Sequence, residues 1–115
     1  MALWNRRKNG ITDQQKLIAL RLATDEDFSL DEVVQKFSDL ATARAVIEDL
    51  YEDKMVEFYW KRPKGDRVQI PVAEVTGLLE DDTEWVRSKS FQEPYVIVVA
   101  NDRGWRWFQS HWKSE

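Results

Sequence analysis

Apolar residues recur at helical spacing through the first part of the chain, and two S/T-x-x-E/Q boxes mark where those helices begin. Thr12 with Gln15 and Ser29 with Glu32 each pair a hydroxyl that accepts a free backbone N–H with a longer side chain reaching back to the cap residue. After Thr12, the residues Leu17, Ile18, Leu20 and Leu22 with Ala19 and Ala23 form a helical stripe that stops at the polar turn Thr24-Asp25-Glu26-Asp27. After Ser29, Val33, Val34 and Phe37 predict a short second helix. Leu40, Ala43, Val46, Ile47 and Leu50 then share a single apolar face and predict a third, entered through the tight turn Ser38-Asp39.

Beyond this point the period shortens. Met55 to Lys61 is rich in strand-favouring aromatics, Arg62-Pro63-Lys64-Gly65-Asp66 supplies a turn, and Arg67 to Ile70 alternates again, so the stretch reads as a β-hairpin. Residues 71–89 place Val72, Val75, Leu78, Leu79, Trp85 and Val86 at helical spacing but are interrupted by Gly77 and the acidic run Glu80 to Glu84, which predicts one or two short helices. Tyr95 to Ala100 is an apolar run with the look of a strand buried on both faces. With the turn Asn101-Asp102-Arg103-Gly104 and the run Trp105 to Gln109, it predicts a second hairpin over 95–109.

Length and composition narrow the class. The 115 residues suit one α+β domain over 1–115, with 71–115 as an extension of a core spanning 11–70. Hydrophobic residues make up 43% and charged residues 33%, an ordinary globular balance. With no cysteine there are no disulfides, thiolate nucleophiles or Cys-bearing metal sites, and a reducing, cytoplasmic setting is favoured. No apolar run is long enough for a membrane span, and the basic start lacks the apolar stretch of a signal peptide, so no membrane association is expected. Net charge is −4, but it is segregated. Residues 11–59 hold five basic and twelve acidic side chains, whereas the hairpin from Trp60 to Ile70 carries a net +3. An acidic total does not forbid nucleic-acid binding, because local patches set the field at a contact.

The order helix, helix, tight turn, helix, hairpin resembles the winged helix-turn-helix family. The stretch Val46 to Glu57 is similar to that family's junction, in which the third helix closes as L-x-x-x-G-L-[VI] and runs into the first wing strand; here it reads Leu50, three residues, then Lys54-Met55-Val56. Phe28 to Val33 resembles the entry to the family's second helix, and the likeness spans Ile11 to Ile70. It implies a three-helix unit with a β-hairpin wing, and a role in DNA binding and transcription regulation. Two departures stand out. Lys54 occupies a helix-terminating position where glycine is common, and the exposed side of the third helix offers Thr42 and Arg44 but then Glu48, Asp49, Glu52 and Asp53, which repel phosphate.

Two surfaces carry candidate chemistry. The wing places Lys61, Arg62, Lys64 and Arg67 on one hairpin, able to straddle a backbone or enter a minor groove; Arg44, with Thr42, is the candidate base reader, and Arg6, Arg7 and Lys8 extend the basic side. The competing reading of the wing is a solvated edge kept soluble by charge. The second surface is Trp105, Trp107 and Trp112, in a chain whose fourteen aromatics include six tryptophans. Exposed, these rings stack single-stranded bases or anchor a protein partner; buried, they complete the core. A homodimer through this segment is a further possibility.

Catalytic material is sparse. The acidic groups Asp25-Glu26-Asp27 and Glu80 to Glu84 lack the glycine and alternating carboxylates of an EF-hand loop and read as solvated loops rather than metal sites. His111 is the only histidine, too little for a zinc site or a Ser-His-Asp triad, and no phosphate-binding or dinucleotide-binding glycine motif occurs. The expected function is that of a small non-enzymatic nucleic-acid-binding or regulatory protein without a cofactor, with DNA as partner. The alternative is a protein-interaction module, of the kind found among phage, viral or other accessory proteins, which engages its partner through the acidic third helix or the Trp-rich C-terminal hairpin.

Overall fold

The computed structural model describes residues 10–24, 27–62, 65–86 and 93–112. Three helices come first: α1 (Asp13–Leu22), α2 (Leu30–Phe37) and α3 (Leu40–Glu52). Both capping boxes form. Gln15 N–H donates to Thr12 Oγ1 at 3.1 Å while Thr12 N–H donates to Gln15 Oε1 at 2.9 Å, and Ser29 and Glu32 repeat the exchange at 3.3 and 3.0 Å. Helix α2 stops because Ser38 turns left-handed at φ 59°, which frees Asp39 to cap α3 from the Thr42 N–H. The α3 face foreseen from spacing is buried at Ala43, Val46, Ile47 and Leu50.

Helix α3 ends in a Schellman arrangement. Met55 N–H reaches back to Leu50 C=O and Lys54 N–H to Tyr51 C=O, both at 2.9 Å, with Lys54 held left-handed at φ 62°. The lysine therefore adopts the geometry for which glycine is preferred. The chain leaves this turn directly into β1 (Val56–Lys61), which pairs antiparallel with β2 (Arg67–Gln69). Val56 and Phe58 point into the core, and Glu57, Tyr59 and Lys61 alternate onto the other face.

Residues 72–86 form two short helices, α4 (Val72–Glu80) and α5 (Asp82–Val86), within the range expected for them. Trp85 on α5 is fully buried, and its indole N–H donates to Leu79 C=O at 2.9 Å. The strand β3 (Tyr95–Ala100) returns along β1, giving a three-stranded antiparallel sheet in the order β2-β1-β3. Its first four residues are buried on both faces, as their apolar run implied.

The expected second hairpin is corrected by the structure. Residues after Ala100 form helix α6 (Asp102–His111), not a returning strand. The physical reason lies in the edges of β3. One edge is taken by β1, and the other by the chain entering α2: Val98 N–H donates to Phe28 C=O at 2.8 Å, Ala100 N–H to Ala23 C=O at 3.1 Å, and Ser29 bridges Ile97. No edge remains for a fourth strand. Asn101 instead caps a helix, its side-chain oxygen accepting the Gly104 N–H at 2.9 Å. The Trp105/Trp107 alternation that suggested a strand coexists with Gly104 and Phe108, four residues apart on the buried face of α6.

The fold is thus α+β, with six helices and one antiparallel sheet among the described residues. One apolar core runs from Ile11 to Phe108. Among the described residues no helix is long and apolar enough to cross a membrane.

Candidate nucleic-acid interface

The hairpin presents its basic residues in an ordered way. Lys61 and Arg67 are direct cross-strand partners of β1 and β2 and project from the same face. Below the tip, Arg62 N–H donates to Asp66 C=O and Gly65 N–H to Arg62 C=O, each at 2.9 Å, and Lys61 Nζ donates to Gly65 C=O at 3.1 Å. Burial, followed by a hydrogen bond to Glu57, pushes the Tyr59 hydroxyl above its ordinary value on the same face. Lys64, with Pro63, lies outside the described residues, as do Arg6, Arg7 and Lys8 of the expected basic side and Asp25 and Glu26 of the first acidic cluster.

Acidic neighbours meet every described cation of this group. Asp27 Oδ1 sits 3.2 Å from Lys61 Nζ and 3.6 Å from Arg67 Nη2, and Arg62 lies 3.5 Å from Asp66. Asp27 itself is left-handed at φ 59°, and its Oδ1 is buried without a hydrogen bond although both cations face it. The expected base reader is engaged too. Arg44 forms an ion pair with Asp82 at the start of α5 and lies 5.8 Å over the Trp85 ring. The Thr42 hydroxyl donates to the Asp39 carboxylate at 2.6 Å, which, with the Thr42 N–H, holds the Asp39 carboxyl below its ordinary value. Both residues of α3 are thus already partnered, and further along the helix burial raises the Glu48 carboxyl above its ordinary value.

The three tryptophans separate when placed on a helix rather than a strand. Trp105 and Trp112 occupy one flank of α6 and are 42% and 37% exposed. Phe108 lies between them, its ring stacked 5.5 Å from Trp105 and 5.2 Å from Trp112, with the Arg21 guanidinium 5.6 Å over Trp112. Trp107 is on the opposite flank, half-buried, stacked 4.1 Å on His111 and covered by Lys16 at 4.9 Å. Lys16 is 4% exposed and paired with Asp49 at 3.3 Å and Asp53 at 3.5 Å. Trp107 thus belongs to the packing of α6 on α1 and α3, whereas Trp105 and Trp112 are available to a ligand.

The β1-β2 hairpin and the aromatic flank, which the sequence kept apart, meet in space. An open cleft of about 760 Å³ runs between them, with Lys61, Gly65 and Arg67 on the hairpin side and Trp105 on the helix side. Ala23, Thr24, Val99, Ala100, Asn101 and Asp102 complete its walls. Two contributors escaped sequence reasoning. Asp27 was visible only within the acidic cluster Asp25-Glu26-Asp27, read as a solvated loop, because its partners lie far along the chain; Asn101 was readable as an N-cap three residues before Gly104, had the aromatic alternation not pointed to a strand. No known protein family, curated protein or solved structure matches this chain.

Proposed function

We propose that this is a small non-enzymatic nucleic-acid-binding protein built on a winged-helix-like scaffold, whose contacts come from the hairpin rather than from the third helix. The order α1, α2, tight turn, α3 and hairpin supports the scaffold, together with the Schellman turn that delivers α3 into β1. The observation that carries the reading is the cleft, in which the cross-strand pair Lys61 and Arg67 faces the exposed indole of Trp105. Cations that track a phosphate backbone beside an aromatic platform for bases are the two elements of sequence-tolerant recognition. Helix α3 contributes little in this reading, since Arg44 and Thr42 are bound to Asp82 and Asp39 and the following turns are acidic.

Titration of labelled random duplex and single-stranded DNA, followed by anisotropy at about 50 and 200 mM salt, tests it. Salt-sensitive binding that falls away in Lys61→Gln with Arg67→Gln, with far-ultraviolet circular dichroism unchanged, is the expected result. Absence of binding at the lower salt refutes the reading. A second reading, a protein-interaction module, draws on a separate observation: the Trp105-Phe108-Trp112 stack leaves two large rings exposed on a helix flank, the residue type that dominates interface hot spots. Under that reading Trp105→Ala with Trp112→Ala abolishes partner capture while the hairpin substitutions leave it intact.

A further inference from the structure

The cleft is not an open basic patch. Its two cations converge on one carboxylate oxygen, Asp27 Oδ1, at 3.2 and 3.6 Å. That oxygen is buried and takes no hydrogen bond, and Asp27 holds a left-handed backbone to place it there. A single anionic oxygen set between two cations on one face of a hairpin has the arrangement in which a phosphate oxygen is bound. Trp105 stands across the cleft with much of its ring exposed, and the volume of about 760 Å³ suits a nucleotide-sized group.

We infer that the cleft binds an unpaired nucleotide of a single-stranded nucleic acid, its base stacked on Trp105 and its phosphate taking the place of the Asp27 carboxylate between Lys61 and Arg67. The inference rests on the nucleic-acid reading above and names the form of the ligand. A paired base has both faces stacked on its neighbours within a duplex and cannot lie on the Trp105 indole, so the aromatic wall selects for single strands. Asp27 acts as a built-in competitor. While it holds both cations, Asp27 offsets one of their two charges, and Asp102 at the start of α6 adds a second negative charge to the cleft walls. Binding exchanges one anion for another, so the native chain binds less tightly than its two cations alone would allow.

The test compares a labelled oligothymidylate with a labelled blunt-ended duplex, which has no unpaired loop, against the full chain and three variants. Asp27→Asn removes the competing charge but keeps a residue type that tolerates the left-handed region, so the turn is retained. It should tighten oligothymidylate binding by at least about tenfold, the scale of one charge-assisted hydrogen bond, and steepen the salt slope by about 0.7 for the extra phosphate neutralised. Trp105→Ala should weaken binding on the order of 5- to 150-fold, the range measured for loss of one base–aromatic stack, and Trp105→Phe should restore part of it. Duplex binding should be the weaker throughout.

Oligothymidylate binding indifferent to Asp27→Asn, or to Trp105→Ala, overturns the inference while leaving the nucleic-acid reading in place. Duplex binding that exceeds single-strand binding does the same. If neither probe binds the native chain at low salt, both the inference and the reading beneath it fall.

Discussion

Replacing Gly104 with alanine separates two effects that act in opposite directions on a helix. Within an unconstrained helix, alanine is favoured over glycine by about 1 kcal/mol. At Gly104, however, an added Cβ would stand 2.2 Å from Met55 C=O and 3.1 Å from Leu20 Cδ2. The first obstacle is backbone, which cannot swing aside as the end of a side chain can. To restore ordinary contact, α6 must retreat from the α3–β1 turn by about an ångström, and the retreat strains the bonds that anchor it: Asn101 N–H to Met55 C=O at 3.1 Å and Asn101 Nδ2 to Lys54 C=O at 2.9 Å. Overpacking of this kind costs about 1–3 kcal/mol, and each weakened hydrogen bond adds up to ~1 kcal/mol. Set against the gain in propensity, Gly104→Ala should lose about 2 kcal/mol, read as a lower urea midpoint with an unchanged slope in a tryptophan-fluorescence unfolding curve. Gly77, within α4, provides the control. Nothing lies within 4 Å of its added Cβ, so Gly77→Ala should gain about 0.5–1 kcal/mol. A Gly104→Ala protein stabilised as much as Gly77→Ala would refute the packing argument, since both variants would then report propensity alone.

Three further outcomes follow from the same geometry. Lys54→Gly relieves a left-handed lysine whose strain is about 1–2 kcal/mol, less the ~0.5–1 kcal/mol entropy that glycine forfeits on folding, so thermal unfolding should show a modest net stabilisation. Glu48→Gln should stabilise at neutral pH. Burial raises the folded carboxyl above its ordinary value of 4.5, so the native state holds the proton more tightly and the destabilisation it causes grows as pH rises through that value; below it the variant's advantage should vanish in urea curves taken across the range. Lys16→Met strands Asp49 and Asp53 beside the Trp107 ring and should cost about 1–3 kcal/mol, less than a fully buried pair because Asp53 is half-exposed; adding Asp49→Asn and Asp53→Asn should recover most of it by calorimetry.

What the sequence made legible follows the range of the interactions involved. The starts of α1 and α2 were readable because each capping box closes within three residues, and the α3 face because its apolar spacing is local. The strand Tyr95–Ala100 was readable from its apolar run. Its successor was not. Whether Trp105 to Gln109 becomes strand or helix depends on the far edge of β3, already occupied by Ala23 and Phe28, and no local pattern carries that information. The candidate site shows the same division. The basic residues of the hairpin and the tryptophans were visible as separate groups, but their meeting in one cleft depends on α6 being a helix. The neutralisation of Lys61 and Arg67 by Asp27, and of Arg44 on α3 by Asp82, depends on acidic residues whose only local appearance was as solvated turns.

The strand order has a kinetic consequence. Helices α1 to α3 and the β1-β2 hairpin are built from contacts between near neighbours, whereas Val56 meets Ala100 only when the whole span between them has closed. Loop closure of that length is entropically unfavourable and must precede the burial that rewards it. The rate-limiting event in folding should therefore be the docking of β3 against β1. Until it occurs, the edge of β1 that Tyr95 to Ala100 will occupy is unpaired, and the early ensemble presents that edge to other chains. Refolding yield should consequently fall with protein concentration, even though the finished sheet has one edge sealed by the segment entering α2 and the other reduced to the three exposed residues of β2.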